Sequence, residues 1–366
     1  MIASMITTFS TLCPNLLEIT LRHLPLDQSI SVTASSMLLA CDRNILRKFD
    51  VDCLLTDSAR EVLYQLPNLR KLSSVHLGNT LLPPVILPNL VEMHVMFKCG
   101  HKWLQNLNGA TLNKLTSVSF YDVSRQVGGF LEEFKGFALA TFISTQLSRF
   151  KFSSKSSWDL NYSSLLGFKQ LTELAILTPC RTSCSSTVDD DIIAKLARAM
   201  LKLKILQLGS KPCQTPTGVT VKGLVELACH CINLSILRVH IQVNSLVQIA
   251  VGDIPTSPSN AESATPRVEC ALTTPEVGDM TVQEGSVLTV ALALSHIFPR
   301  INKIKYTDPR WENVQDTVKL SKRLSNQIGA LASFSGEAGL QYPKSHTDVP
   351  TGNTLNIDHS PLSGQG

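Results

Sequence analysis

The chain has 366 residues, 43% of them hydrophobic and 17% charged, and a formal net charge of +4. The apolar fraction suffices for a large core, while the charged fraction is low. With so small a net charge and no dense cluster of Lys and Arg, the chain lacks the basic stripe with which nucleic-acid binders neutralise phosphates. At the N-terminus, MIASMITTFSTLCPNL has no basic residue ahead of its apolar stretch, so no signal peptide is expected. An intracellular protein is therefore expected, its ten cysteines reduced thiols and mostly small core hydrophobes.

One pattern then recurs along the chain: Leu, two free positions, an apolar residue, one free position, another apolar residue. It begins with LLEITL (Leu16 to Leu21), LRKFDV (Leu46 to Val51), LRKLSSVHL (Leu69 to Leu77), LVEMHV (Leu90 to Val95) and LTSVSF (Leu115 to Phe120). It continues with LSRFKF (Leu147 to Phe152), LTELAI (Leu171 to Ile176), LKILQL (Leu203 to Leu208), LSILRV (Leu234 to Val239) and INKIKY (Ile301 to Tyr306). The starting leucines lie 21 to 32 residues apart up to Leu234, and then 67 residues pass before Ile301. The alternating apolar pair puts two side chains on one face of a strand, and the leading Leu packs beneath them. Such a face is too small to stand alone and must be buried by its neighbours.

Between these strands, helices are expected where apolar residues recur at helical spacing behind a capping residue. Thr56 precedes Ala59, Val62, Leu63 and Leu66; Asp189 to Asp191 precede Ile192, Ile193, Leu196, Ala197 and Met200; Thr220 precedes Leu224, Leu227, Ala228 and Cys231. Strand and helix in alternation predict an α/β leucine-rich-repeat solenoid, right-handed, with a parallel concave sheet and convex helices. Its extent is residues 1–332, interrupted by a polar loop insertion at 252–265 that accounts for most of the long last spacing. The longest apolar run, Val287 to Phe298, is far short of the roughly 20 residues that span a bilayer. Residues 333–366, rich in Gly, Ser, Pro and Thr, read as a disordered tail.

The residues that could carry chemistry do not assemble into an active site. Asp189, Asp190 and Asp191 suit a helix start, where carboxylates meet the positive end of the macrodipole. Cys180, Cys184 and Cys213 with His230 and Cys231 match no paired zinc-knuckle spacing, nor do His94, Cys99 and His101. No nucleophile elbow, zincin helix or glycine-rich phosphate loop is present. No enzyme activity, metal or cofactor is expected, and no membrane span. What remains is the row of side chains between the apolar strand positions, the default binding surface of this architecture. It runs from acidic (Asp50, Asp52, Glu92) towards basic (Arg149, Lys151, Arg238, Lys303, Lys305). His94, Tyr121, Lys151, Gln207, Arg238 and His240 are its candidate protein-binding residues.

The segments LPNLRKLSSVHL, DDDIIAKLARAMLKLKILQLG, TPTGVTVKGLVELACHCINLSILRVH and ALALSHIFPRINKIKY resemble fungal F-box and leucine-rich-repeat proteins. The likeness runs from about Leu12 to Leu324. It implies a repeat domain that captures a protein, and an F-box that docks it through a Skp-type adaptor to a cullin ubiquitin ligase. The chain departs from the family at its start, where Leu16 already belongs to a repeat, so an F-box would have to lie upstream. Two other readings stay open: a free-standing repeat scaffold or decoy without ligase docking, and an enzyme or enzyme regulator with an unrecognised site.

Overall fold

The computed structural model describes residues 8, 12–13, 15–22, 28–77, 86–97, 112–122, 146–154, 162–177, 188–209, 218–247, 270–278 and 282–337. Among them, each repeat of the sequence pattern becomes one strand. The strands are β1 (Glu18–Leu21), β2 (Lys48–Val51), β3 (Lys71–Leu77), β4 (Glu92–Phe97), β5 (Ser117–Asp122) and β6 (Arg149–Ser154). They continue as β7 (Glu173–Leu177), β8 (Ile205–Leu208), β9 (Ile236–Arg238), β10 (Thr274–Gly278) and β11 (Lys305–Tyr306). All eleven form one sheet in which spatial order equals chain order, and every neighbouring pair is parallel. This is the solenoid-like α/β stack that the alternation of strand and helix predicts.

The stack is held in register by one repeated hydrogen-bond device. In most units the residue after the leading Leu offers its carbonyl to two successive N–H groups of the next unit. Leu17 O accepts from Arg47 and Lys48, Arg47 O from Arg70 and Lys71, and Val91 O from Thr116 and Ser117. The device continues through Thr116 and Ser148 to Lys204 O, which accepts from Ser235 and Ile236. Where the acceptor position also carries a hydroxyl, the side chain adds a bond to the preceding unit: Ser148 Oγ donates to Thr116 O at 3.0 Å and Thr172 Oγ1 to Ser148 O at 3.0 Å. Turn asparagines do the same one step earlier, as when Asn89 Nδ2 donates to Pro67 O at 2.9 Å.

Register makes the core columnar. Phe49, Leu72, Met93, Val118, Phe150, Leu174, Leu206 and Leu237 are successive partners along the sheet, and all are buried. The leading leucines Leu46, Leu69, Leu90, Leu115, Leu171, Leu203 and Leu234 have no exposed surface at all. Large aromatics fill the middle, with Phe120 and Phe150 packed edge to face at a centroid distance of 6.0 Å.

Helices cover this apolar face. They are α1 (Gln28–Ala40), α2 (Asp57–Leu63), α3 (Asp190–Ala199), α4 (Val221–His230), α5 (Val243–Val247), α6 (Val287–Ile297) and α7 (Arg310–Glu337). The three expected caps are in place. Thr56 accepts from Ala59 N, Asp189 from Ile192 N at 2.8 Å, and Thr220 from Lys222 N at 3.2 Å. Helix α1, which the sequence pattern had not suggested, buries Ile30, Ala34, Met37 and Leu38 at helical spacing. Helices α3 and α4 are tied across repeats. Asp190 of α3 accepts from Thr220 N at 2.8 Å and Gly223 N at 3.1 Å, and also from the Thr220 hydroxyl, so it completes the cap of α4. At the other end Arg198 donates to both oxygens of Glu226 at 3.0 Å.

Two expectations about the C-terminal half are corrected. The long spacing after Leu234 is not only an inserted loop: it contains a complete unit, Leu272-Thr-Thr-Pro275-Glu-Val277, which forms β10. Leu272, Pro275 and Val277 are buried, and Thr273 O accepts from Asn302 and Lys303 as its counterparts do. Helix α7 runs to Glu337, past the point where the tail was expected to begin. The chain divides into two units, 1–322 and 323–366. Within the first, Trp311, Val314 and Val318 of α7 are buried, Gln315 Oε1 accepts from Ile304 N at 2.9 Å, and Lys322 Nζ donates to Ile301 O. The second contributes to the described residues only the later turns of that helix. The polar loop at 252–265 and residues 338–366 lie outside the described residues. Among the described residues no helix is long and apolar enough to cross a membrane.

The columnar core makes two outcomes testable. Leu171→Ala or Leu203→Ala, each at a position without exposed surface, is expected to cost about 2–5 kcal/mol in denaturant unfolding. An unchanged midpoint for both would mean that the register is wrong. Gly223→Ala should also destabilise, by about 1–3 kcal/mol, although Ala is the better helix former. Its Cβ would lie 2.5 Å from Oδ1 of Asp190 and 2.6 Å from Cγ1 of Val219, so the bracket between α3 and α4 would have to open.

Candidate functional site

The face of the sheet opposite the helices carries the side chains between the apolar positions, again in columns. One column reads Glu18, Lys48, Lys71, Glu92, Ser117, Arg149, Glu173, Ile205, Ile236 and Thr274. The next reads Thr20, Asp50 and Ser73 and, beyond a register shift within β3, His94, Ser119, Lys151, Ala175, Gln207, Arg238 and Glu276.

Not every outward position is open to solvent. Asp50, Ser73, Ser117, Ser119 and Ala175 belong to this face yet are buried, because longer side chains of the adjoining strands close over them. Arg22 reaches across to Asp50, its Nε donating at 2.9 Å. Arg149 reaches over Ser117 to bring its guanidinium within 3.6 Å of Glu92, two strands away.

The six predicted binding residues fall into two groups. His94, Tyr121 and Lys151 stand on β4 to β6, with His94 and Lys151 on either side of Ser119. Tyr121, one position further along β5, is the exposed aromatic between Met96 and Ser153. Gln207 and Arg238 are direct partners on β8 and β9. His240 lies just beyond the end of β9, where its ring packs on Gly218: a Cβ there would sit 2.9 Å from Cδ2 of the imidazole. Ala175 separates the two groups in the column: it is the partner of Lys151 on one side and of Gln207 on the other.

Four cations of the open face meet carboxylates on neighbouring strands. Lys151 meets Glu173 at 2.7 Å, Lys71 meets Glu92 at 2.7 Å, Lys48 meets Glu18 at 3.3 Å and Arg238 meets Glu276 at 3.5 Å. Glu92 is a hub, with His94 Nε2 at 3.8 Å in addition to Lys71 and Arg149. The hydrogen bond from Lys71 holds its carboxyl below the usual carboxylate range, with the positive neighbours adding to the effect. Sequence reasoning missed two of these residues. Lys71 went unread because the bulge in β3 breaks the alternation of LRKLSSVHL, and Glu276 because Pro275 stands where the pattern asks for an aliphatic residue.

Among the described residues no three His, Cys, Asp or Glu side chains could hold a metal ion together. Cys99, His101, Cys180, Cys184 and Cys213 lie outside the described residues. Cys231 and Cys270 are core thiols, and burial pushes the Cys231 thiol up to about 12, far from the thiolate that a nucleophile or ligand needs.

No protein-family model and no curated protein matches the sequence.

The two histidines make the stability of this face depend on pH. Burial lowers the affinity of His94 for a proton, reinforced by Lys71, and burial does the same for His240. In the unfolded chain a histidine titrates near 6.5, so below that pH the unfolded state takes up the proton first. The stabilising contribution is thus present above about pH 6.5 and lost as the pH falls through the lowered pKa values of the folded state. Thermal melts across this window should show the decline, and His94→Gln with His240→Gln should flatten it; an unaltered slope in the double variant would place the titrating groups elsewhere.

Proposed function

We propose that the chain is a leucine-rich-repeat protein that binds another protein through the open face of its sheet. The observation that carries this reading is the face itself: a parallel array of half-exposed polar and aromatic side chains, each set in place by the strand register. Tyr121 supplies an exposed amphipathic ring, and Arg238 a planar guanidinium held by a partly exposed ion pair. These residue types are enriched at interface hot spots, Tyr for its large amphipathic ring and Arg because it combines a planar fork of donors with a stackable face. His94, Lys151, Gln207 and His240 complete the surface around them.

The resemblance to F-box and leucine-rich-repeat proteins supports extending the reading to an intracellular substrate receptor of a cullin-type ubiquitin ligase. In that role the sheet face takes the substrate, and the Skp-type adaptor docks elsewhere.

Affinity capture from lysate, with mass spectrometry of the bound proteins, tests both parts. A partner held by the wild type and lost by the Tyr121→Ala, Arg238→Ala double variant is the expected result, since losing one hot spot costs about 2 kcal/mol, roughly thirtyfold in affinity. The double variant should still give a folded circular-dichroism spectrum, because Tyr121 is exposed and Arg238, 21% exposed in its pair with Glu276, lies outside the apolar core. Wild-type affinity in the double variant would move the binding surface to the helices. Recovery of a Skp-type adaptor distinguishes a ligase receptor from a free-standing scaffold.

A further inference from the structure

By count the open face is close to neutral, but its charges are layered. Over β1 to β7, away from the outermost pair Glu18 and Lys48, each cation in an ion pair is more exposed than the carboxylate it meets. Arg22 is 54% exposed over Asp50 at 0%, and Lys151 is 45% exposed over Glu173 at 15%. Arg149 is 48% exposed and Lys71 37% exposed over a shared Glu92 at 29%. The carboxylates sit on the strands as a floor, and the ammonium and guanidinium groups stand above them on longer stems. A partner approaching this face meets the positive ends first and is screened from the negative ones. The short side chains of β5 sharpen the effect. Ser117 and Ser119 lie buried between the rows of β4 and β6, so Arg149 and Lys151 rise on one side of a low strip and His94 on the other. Arg149 stops 3.6 Å from Glu92, beyond hydrogen-bond reach, which leaves its planar fork able to take a carboxylate in two-point contact.

We infer that the partner presents an acidic segment to β4, β5 and β6, with carboxylates against Arg149 and Lys151 and an apolar or aromatic neighbour against Tyr121. The inference rests on the sheet face being the binding surface and adds the chemical class of what binds there. Charge complementarity is the ground for it: a cationic outer layer steers and orients an anionic partner, and like charges brought against it are repelled.

Selection from a displayed library of random peptides, with the whole chain as bait, tests it. Wild-type protein is expected to enrich peptides rich in Asp and Glu. The charge reversal Arg149→Glu with Lys151→Glu should weaken those peptides at least about tenfold and shift the selection towards Lys and Arg. Binding of the selected peptides should also weaken between about 0.1 M and about 1 M salt, where the screening length shrinks from roughly 10 Å to roughly 3 Å. A circular-dichroism melt matching the wild type shows that the reversal variant is folded. Peptides that ignore the reversal but are lost by Tyr121→Ala with Arg238→Ala overturn the acidic-partner inference while the sheet-face reading stands. Peptides indifferent to both pairs of substitutions overturn both. Selection without enrichment of carboxylates, or of no peptide at all, overturns the inference.

Discussion

Everything in this molecule depends on parallel, in-order stacking at fixed register. Because the post-leucine carbonyls of most units accept from the same two amides of the next, position k of one repeat stands beside position k of its neighbours, roughly 4.8 Å away, except where β3 and β10 shift register. On the covered face that rule demands unbroken apolar columns, and the columns from Phe49 to Leu237 meet it. On the open face the same rule brings charged residues side by side, where like charges repel and opposite ones attract. Lys48 and Lys71 are direct partners, and each turns to a carboxylate on its far side, Glu18 and Glu92. The ion-pair ladder follows from the stacking and is no separate device.

Fixing the strands leaves the connections free. Between successive strands the chain takes a full helix, as with α3 and α4, a 3-10 turn at Tyr162–Leu165, or no helix at all in the described residues of the β3 to β4 connection. Loop closure costs little more for a longer connection than for a shorter one, so irregular spacing does not disturb the sheet. What the connections must do is cover the apolar face and satisfy one another. The bracket of α3 and α4 shows how: Asp190 caps the next helix as well as starting its own, and Gly223 leaves room for it.

Most of this was legible in the sequence, for a physical reason. A strand that buries one face against its neighbours requires the Leu-x-x-apolar-x-apolar frame, and the frame located ten of the eleven strands. Helix caps were equally readable, because Thr56, Asp189 and Thr220 act on amides two or three residues away. Where the reading failed, a residue satisfied the structure by unusual means. Pro275 fills an apolar slot without looking like one, so β10 went unread. Helix α1 mixes Ser, Thr and Val with its apolar stripe, so its periodicity was diluted. The six binding candidates are all on or beside the open face, yet their grouping was not legible, because Ala175 splits the row and Gly218 claims part of His240.

The face shows why a solenoid's architecture is easier to read than its specificity. Burial is a one-body property: Leu174 is buried whatever its neighbour is, provided the neighbour is apolar. Charge presentation is a property of pairs and triples. Lys151 is an outward cation because Glu173 lies lower on the next strand, and Arg149 crosses two strands only because Ser117 between them is short. In the one-dimensional sequence Arg149 and Glu92 are distant and of opposite sign, which suggests a gradient from acidic to basic. In the stack they are one unit, with the positive group outermost. Replacing Ser117 by a long side chain would separate them without altering the charge of either, so the electrostatic character of the surface is set as much by its small residues as by its charged ones.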